Sequence, residues 1–378
     1  MTSITVQSIE ACFSDLEDPR VIGRCSHSLN DILIIALCAM LCGAEDWDSI
    51  AQFGHAKASF FKRFLGLPNG IPSADTFARV FSMLSPRQFE SCFRRWVEGL
   101  INTERHKLIA IDGKTVRRSH DRRRGQPPIH IVNAFAGDTN LVLGHLKTEE
   151  KSNEITAIPE LLERLLLRGC IVTIDAMGCQ KAIAEQIIEQ EGDYVLALKG
   201  NQGRLAQAVE TFFDKADQEG FQNTAWDYYE HGEKGHGREE TRRLWCSDQL
   251  ASIEEAAQWK GLHSVIMVES YRKVDEKETL EYRYYISSCE ADAKLLFDAV
   301  RHHWRIENSL HWVLDMAFRE DESRVRHAVA AENLSLLRKM ALNILRQDKS
   351  TKLGIKNKRL KAGWDEPYLL NLLNSWDV

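Results

Sequence analysis

Two short apolar runs end on an aspartate with a glycine close behind: LIAIDGK, where Asp112 follows Ile111, and IVTIDAMG, where Asp175 follows Ile174. Apolar runs of this kind read as buried strands, and a carboxylate at the mouth of a buried sheet loses hydration that a cation must replace. Two such carboxylates on neighbouring strands also repel each other. A third acidic position lies far downstream in RHHWRIENSLHWVLDMAF, where His303, Glu307, His311 and Asp315 succeed one another at i+4 and so share one stripe of a helix. Trp304, Ile306, Leu310, Trp312 and Leu314 flank that stripe, which sets it apart from an ordinary solvent face. Either its histidines and acids pair with one another in an interface, or they complete a divalent-cation site with the two strand aspartates. The aspartates favour the second. Hard Mg²⁺ takes carboxylate oxygens and keeps positions open for water and phosphate oxygens.

The elements that position these groups follow from periodicity. From 26 to about 102 apolar residues recur at helical spacing, with starts at Ser73 (SADTFARVFSML) and at Ser85-Pro86 (SPRQFESCFRRWVEGLI), where a cap precedes a first-turn proline. This predicts an all-helical domain over 1–104, for DNA binding or assembly, with polar INTERHK (101–107) at its boundary. The β-prone runs 108–111, 129–135 and 141–146 predict a three-strand meander. NEITAIPELLERLLLRG then reads as a helix closed by Gly169, CIVTID as a strand, QKAIAEQIIEQEG as a helix and DYVLALKG as a strand, the alternation of crossovers onto a parallel sheet. Residues 201 to about 290 predict exposed antiparallel strands (DYYEHGEKGHGREETRRLWC, LEYRYYISS), inserted before helices over 291–316 and 327–347. The expected fold class is α/β: a mixed sheet flanked by helices over 105–345, interrupted by that β-rich insertion and followed by a basic, poorly periodic tail at 346–378.

A chain of 378 residues with 44% hydrophobic and 28% charged content is a soluble globular protein of two or three domains. Its polar start lacks a signal-peptide pattern, and the best apolar run, 29–42, carries Asp31 and is too short to span a bilayer, so a cytoplasmic protein without a membrane partner is expected. Nine cysteines without a CxxC pair argue against disulfides and zinc. No organic cofactor is called for. The net charge of −6 argues against nucleic acid, yet the bases are clustered: 114–124 holds six against one acid, and 346–361 holds seven against one.

These motifs carry a family resemblance. GIPSADTFARV, AIDGKTVRRS, EKSNEITAIPELL, TIDAMGCQ, DYVLALKGNQGRL, GHGREETR, RYYISS and HWRIENSLHWVLDMAFRED resemble the H-repeat-associated insertion-sequence transposases of bacteria, a branch of the DDE transposases with an RNase H-like fold. The resemblance covers almost the whole chain. It implies metal-dependent cleavage at insertion-sequence ends and strand transfer into target DNA, with Asp112, Asp175 and Glu307 as catalytic residues and ligands of two Mg²⁺ or Mn²⁺ ions. It further implies double-stranded DNA as partner, at element ends and target, bound by a homodimer at the nucleoid.

On that reading Lys114, Arg117, Arg118, Arg122, Arg123 and Arg124 extend from the strand end where a phosphate backbone would lie, and Lys199, Asn201 and Gln202 sit at the same rim. Arg238, with His236, either clamps DNA from the insertion or belongs to a ladder of opposite charges on a strand pair. Trp304 and Trp312 either stack a base or pack the helix. The chain also departs from the family pattern. The Tyr, Arg and Lys that surround the glutamate in related transposases fall on Val300, His303 and Leu314, so phosphate contact and end positioning pass to Arg305, Asn308 or His311. Asp315 is a weaker candidate ligand, with Glu320 and Asp321 outside ones. Eight residues separate it from Glu307, about 12 Å along a helix, so only one of the two reaches the site. Two other functions share these residues: a nuclease that never joins strands, and an inactive DNA-binding relic, against which the intact carboxylate triad argues.

Overall fold

The computed structural model describes residues 11, 13–21, 23–100, 108–148, 154–223, 225–235 and 237–374; the INTERHK boundary and His236 lie outside the described residues. The helical spacing of the first quarter forms α1 (Leu29–Leu41), α2 (Trp47–Ala56), α3 (Ala58–Phe61), α4 (Ala74–Met83) and α5 (Pro86–Leu100). Both expected starts act as caps, Ser73 accepting from the amide of Thr76 and Ser85 from that of Gln88; Ser28 likewise accepts from Asp31, and Asp46 and Ser49 make a reciprocal box. Helix α1 is buried from Asp31 to Leu41, which suits its nearly uniform apolar sequence.

Strands β1 (Leu108–Thr115), β2 (His130–Ala136) and β3 (Leu141–Lys147) form the expected antiparallel meander. Crossover helices α6 (Glu154–Leu162) and α7 (Lys181–Glu189) then place β4 (Ile171–Ile174) and β5 (Asp193–Leu198) parallel to β1. The order β3-β2-β1-β4-β5 is the RNase H-like arrangement. Helix α6 stops at Leu162, short of Gly169, because the following amides make i→i+3 turns that swing Leu167 into the core.

The insertion differs from its expected form in two ways. It opens on a helix, α8 (Gly203–Gln218), whose buried Leu205, Val209, Phe213 and Ala216 make one narrow stripe diluted by polar neighbours. Its strands β6 (Asp227–Gly235), β7 (Arg238–Ser247), β8 (Ser264–Val274) and β9 (Lys277–Ser287) do not stand apart: β9 pairs antiparallel with β5, extending the same sheet to nine strands among the described residues.

Helix α9 (Ala293–Arg305) runs through one π-helical turn (Ile306–His311) into α10 (Trp312–Phe318), followed by α11 (Ala328–Gln347), buried along most of its length. The tail corrects the sequence expectation. It forms α12 (Ile355–Trp364) and α13 (Glu366–Asn374), and three of its bases turn inward. Arg346 stacks on Phe135 and donates to the carbonyls of Asn140 and Ser309; Lys358 donates to Leu345; Arg359 stacks on Phe318 and donates to Met40 and Ala44. These carbonyls end helices or lie in turns, and long basic side chains reach them with their stems buried. Among the described residues no helix is long and apolar enough to cross a membrane.

One side chain completes the sheet from outside it. Fully buried Asn343 of α11 donates to the Val142 carbonyl and accepts from its amide, both at 2.9 Å, standing in for a neighbouring strand on β3. Asn343→Leu should therefore cost about 3 kcal/mol in urea unfolding, the penalty for orphaning a buried donor and acceptor. A loss no larger than that of a surface substitution would contradict this role.

Candidate active site

The parallel pairing of β1 with β4 ends at Ile111 opposite Ile174, so the next residue on each strand, Asp112 and Asp175, emerges at the same level. Asp112 remains paired to Asn133 on its other side, within a strand that continues to Thr115. Asp175 instead begins a turn, its Oδ1 accepting from the amides of Met177 (3.0 Å) and Gly178 (3.3 Å). Gly178 is required there, since a Cβ would lie 2.3 Å from Ile174 and 2.9 Å from Ile158 of α6. Asn201 and Gln202, expected at a DNA rim, hold this turn from the β5 side through the carbonyls of Ala176 (2.6 Å) and Cys179 (2.9 Å). Lys199 remains exposed beside them and lines the cavity.

Helix α9 packs across β1, β4 and β5, and its His303 meets Thr173 of β4 at 3.2 Å. The π turn that follows carries Glu307 and His311. His311 Nδ1 stands 3.5 Å from Asp112 Oδ2 and 3.8 Å from Glu307 Oε2, and donor atoms of all three residues lie within 4.8 Å of one another. Asp175 lines the same cavity of about 850 Å³, with Asp112, His303, Trp304 and Glu307. Burial, reinforced by the Glu307, Glu154 and Asp175 carboxylates, pushes the Asp112 carboxyl up to about 8. Glu307, with a side chain 58% exposed against 16% for Asp112, is instead held below its usual range by His311. One imidazole faces both acids; depth decides which of them feels the repulsion.

Asp315 and Lys114 do not join this group. Lys114 shares a face of β1 with Asp112, yet its ammonium reaches Asp315 (2.8 Å), Asp321 (3.2 Å) and Glu320 (3.8 Å), and its side chain is only 9% exposed. The expected phosphate contact is therefore replaced by an internal clasp between β1, α10 and the segment that follows it. Acids distant in sequence converge on it, which residue spacing alone does not reveal. Sequence reading also missed His130 and Glu154, a hydrogen-bonded pair at 2.8 Å lying over Gly113, where a Cβ would sit 2.1 Å from Glu154. The signal was the glycine next to Asp112: a fourth carboxylate, that of Glu154, approaches the strand there.

The remaining candidates fall in two places. Arg117, Arg118, Arg122, Arg123 and Arg124 are exposed on the connection from β1 to β2; Arg117 pairs with Asp321 at 3.2 Å and Arg124 with Asp121 at 3.9 Å. On the other side of the cavity Arg305 meets His302 at 3.1 Å, Asn308 donates to Trp304, and Arg238 pairs with Glu240 of its own strand at 3.0 Å; Arg272 of β8 with Glu240 (3.4 Å) and Lys234 of β6 with Glu239 (2.7 Å) make the ladder of opposite charges across strands. Trp304 and Trp312 are both exposed, and Arg283 lies 4.3 Å over the Trp304 ring.

The chain is similar to known proteins along nearly its whole length. A family model described as "Transposase DDE domain" matches residues 103–344, and one described as "DDE_Tnp_1-associated" matches residues 10–97. The chain is 43% identical to the "H repeat-associated putative transposase YhhI" of Escherichia coli strain K12 over 95% of its length and 96% of that protein. It is also 43% identical to the "Putative transposase YncI" of Escherichia coli O157:H7, over 98% of its length and 96% of that protein. With a family model covering more than half of its residues and such relatives along nearly its full length, the chain belongs to the DDE-domain transposases.

Proposed function

We propose that this protein is a DNA transposase that cuts at the ends of an insertion sequence and joins the freed strand to target DNA, with Asp112, Asp175 and Glu307 as its catalytic carboxylates. The observation that carries this is the convergence on a single cavity of two aspartates that emerge where the β1–β4 pairing stops and one helix-borne glutamate. The donors suit a hard divalent cation: Asp112 and Glu307 are within reach of one ion, and Asp112 is disfavoured as a bare anion by its burial. Mg²⁺ or Mn²⁺, two ions in the full assembly, would supply Lewis-acid polarisation of the phosphoryl group and of the attacking oxygen.

The chain's own residues do the positioning. The Asp175 turn, buttressed by Asn201 and Gln202, fixes one carboxylate. His311 holds Asp112 and Glu307 toward each other, and the Lys114 clasp keeps β1 against the end of the α9–α10 helix. The exposed arginines beyond β1 offer phosphate contacts, and the helical domain, 1–104, contributes DNA binding or assembly of a homodimer on DNA in the nucleoid.

Asp112→Asn, Asp175→Asn and Glu307→Gln should each lower strand cleavage by about three orders of magnitude in a gel assay with Mn²⁺, while DNA binding stays close to that of the parent protein. Asp315→Asn should retain most activity, because two carboxylates remain on Lys114. The parent protein should also join pre-cleaved ends to a target duplex; hydrolysis without joining would make it a nuclease of the same fold.

Replacing Arg122, Arg123 and Arg124 with alanine should flatten the slope of log affinity against log salt by up to about 3, near one unit for each phosphate that is no longer neutralised. An unchanged slope would assign the run to a solvated surface.

A further inference from the structure

A groove of about 620 Å³ lies between the insertion sheet and α9, and its chemistry is unlike that of the neighbouring cavity. Strand register builds it. Arg242, Ser270 and Glu281 stand abreast on β7, β8 and β9; Glu240, Arg272 and Thr279 stand two residues further along, hence on the same face. Arg238 and Arg283 prolong that face at either end, and Arg301 and Trp304 of α9 close the groove from above. Five arginines line it against three glutamates, in a chain whose net charge is −6.

Compensation is uneven: Arg283 pairs with both oxygens of Glu281, at 2.9 and 3.0 Å, but the arginines of β7 and β8 have less. Glu240, 6% exposed, is shared by Arg242 (2.6 Å), Arg238 (3.0 Å) and Arg272 (3.4 Å), one carboxylate for three guanidinium groups. Arg242 Nη1 is buried and has no hydrogen-bond partner. Burial, with repulsion from Arg242 and Arg238, depresses the pKa of Arg301 although Glu233 sits 3.2 Å away. A cluster of fork-shaped donors with one N–H orphaned in the interior is completed by an anion offering several oxygens, which is the geometry of a phosphate. The groove is also continuous with the acidic cavity, since Glu281, Arg283, Tyr285 and Trp304 line both.

We propose that this arginine groove is a second DNA site, taking the phosphodiester backbone of the strand that leaves the cavity of Asp112, Asp175 and Glu307; this rests on the transposase function proposed above. A polyanion passing over carboxylates at one end needs cationic walls at the other, and the insertion supplies them. The test is fluorescence anisotropy with a labelled random-sequence duplex carrying an unpaired 3′ extension, titrated over a series of salt concentrations. Arg238→Gln with Arg272→Gln should weaken binding about tenfold and flatten the salt slope by about 2, while the corresponding lysine pair restores most of the slope. The control pair Arg168→Gln with Lys260→Gln removes the same charge near the opposite ends of β4 and β5, where Arg168 precedes β4 and the Lys260 carbonyl accepts from Tyr194. It should change the slope far less. Equal slopes for groove and control pairs, with unaltered thermal melting, would overturn the groove while leaving the transposase function standing. Absence of salt-dependent binding by the parent protein would overturn both.

Discussion

Like-charged carboxylates at the mouth of a buried parallel sheet repel one another, and much of the polar architecture around β1, β4 and α9 answers that repulsion. Asp112, Asp175 and Glu307 share one cavity, Glu154 approaches from the side of Gly113, and burial with these like charges raises the Asp112 carboxyl. His311 stands between Asp112 and Glu307. Nearby Lys114, the base closest in sequence, is taken up by Asp315, Glu320 and Asp321. The cavity is thus left short of positive charge, which is the condition under which a divalent cation binds and a protein side chain does not substitute for it.

A second charge network supports the first from behind. Glu320, almost fully buried, accepts from Ser335 at 2.7 Å and lies 4.0 Å from Arg338, while Lys339 donates to Ser335 and meets His145 of β3 at 2.9 Å. Burial brings the Lys339 ammonium down to about 8. These contacts run from β3 through α11 to the acidic segment that clasps Lys114, so the strand carrying Asp112 is braced on a buried polar chain. Breaking such a chain at one member leaves its neighbours uncompensated, which makes it stiff.

The parts of this arrangement legible in the sequence were those set by local pattern. The apolar run before Asp175 located the end of β4 and the run before Asp112 located β1, which continues past the aspartate to Thr115 through its pairing with β2, and helical spacing located the stripe of Glu307 and His311. The rest depended on long-range geometry. The π turn at Ile306–His311 alters the register of the stripe, and no local residue type announces it. Lys114 read as a phosphate contact and Arg346, Lys358 and Arg359 as part of a basic tail, because their carboxylate and carbonyl partners come from elements far away in the chain. The insertion strands looked exposed on both faces, since their polar alternation hides the pairing of β9 with β5 and the arginine face turned toward α9.

If repulsion at Asp112 is what the site is built around, cation binding has to remove a proton from it. Calorimetric titration of Mn²⁺ near pH 7, in buffers of different ionisation enthalpy, measures this directly. With Asp112 raised to about 8, the carboxyl is largely protonated at that pH, so binding should release close to one proton, and Asp112→Asn should abolish both the binding and the release. Mn²⁺ binding of undiminished affinity in Asp112→Asn, or no binding by the parent protein, would contradict the assignment of this cavity as the metal site.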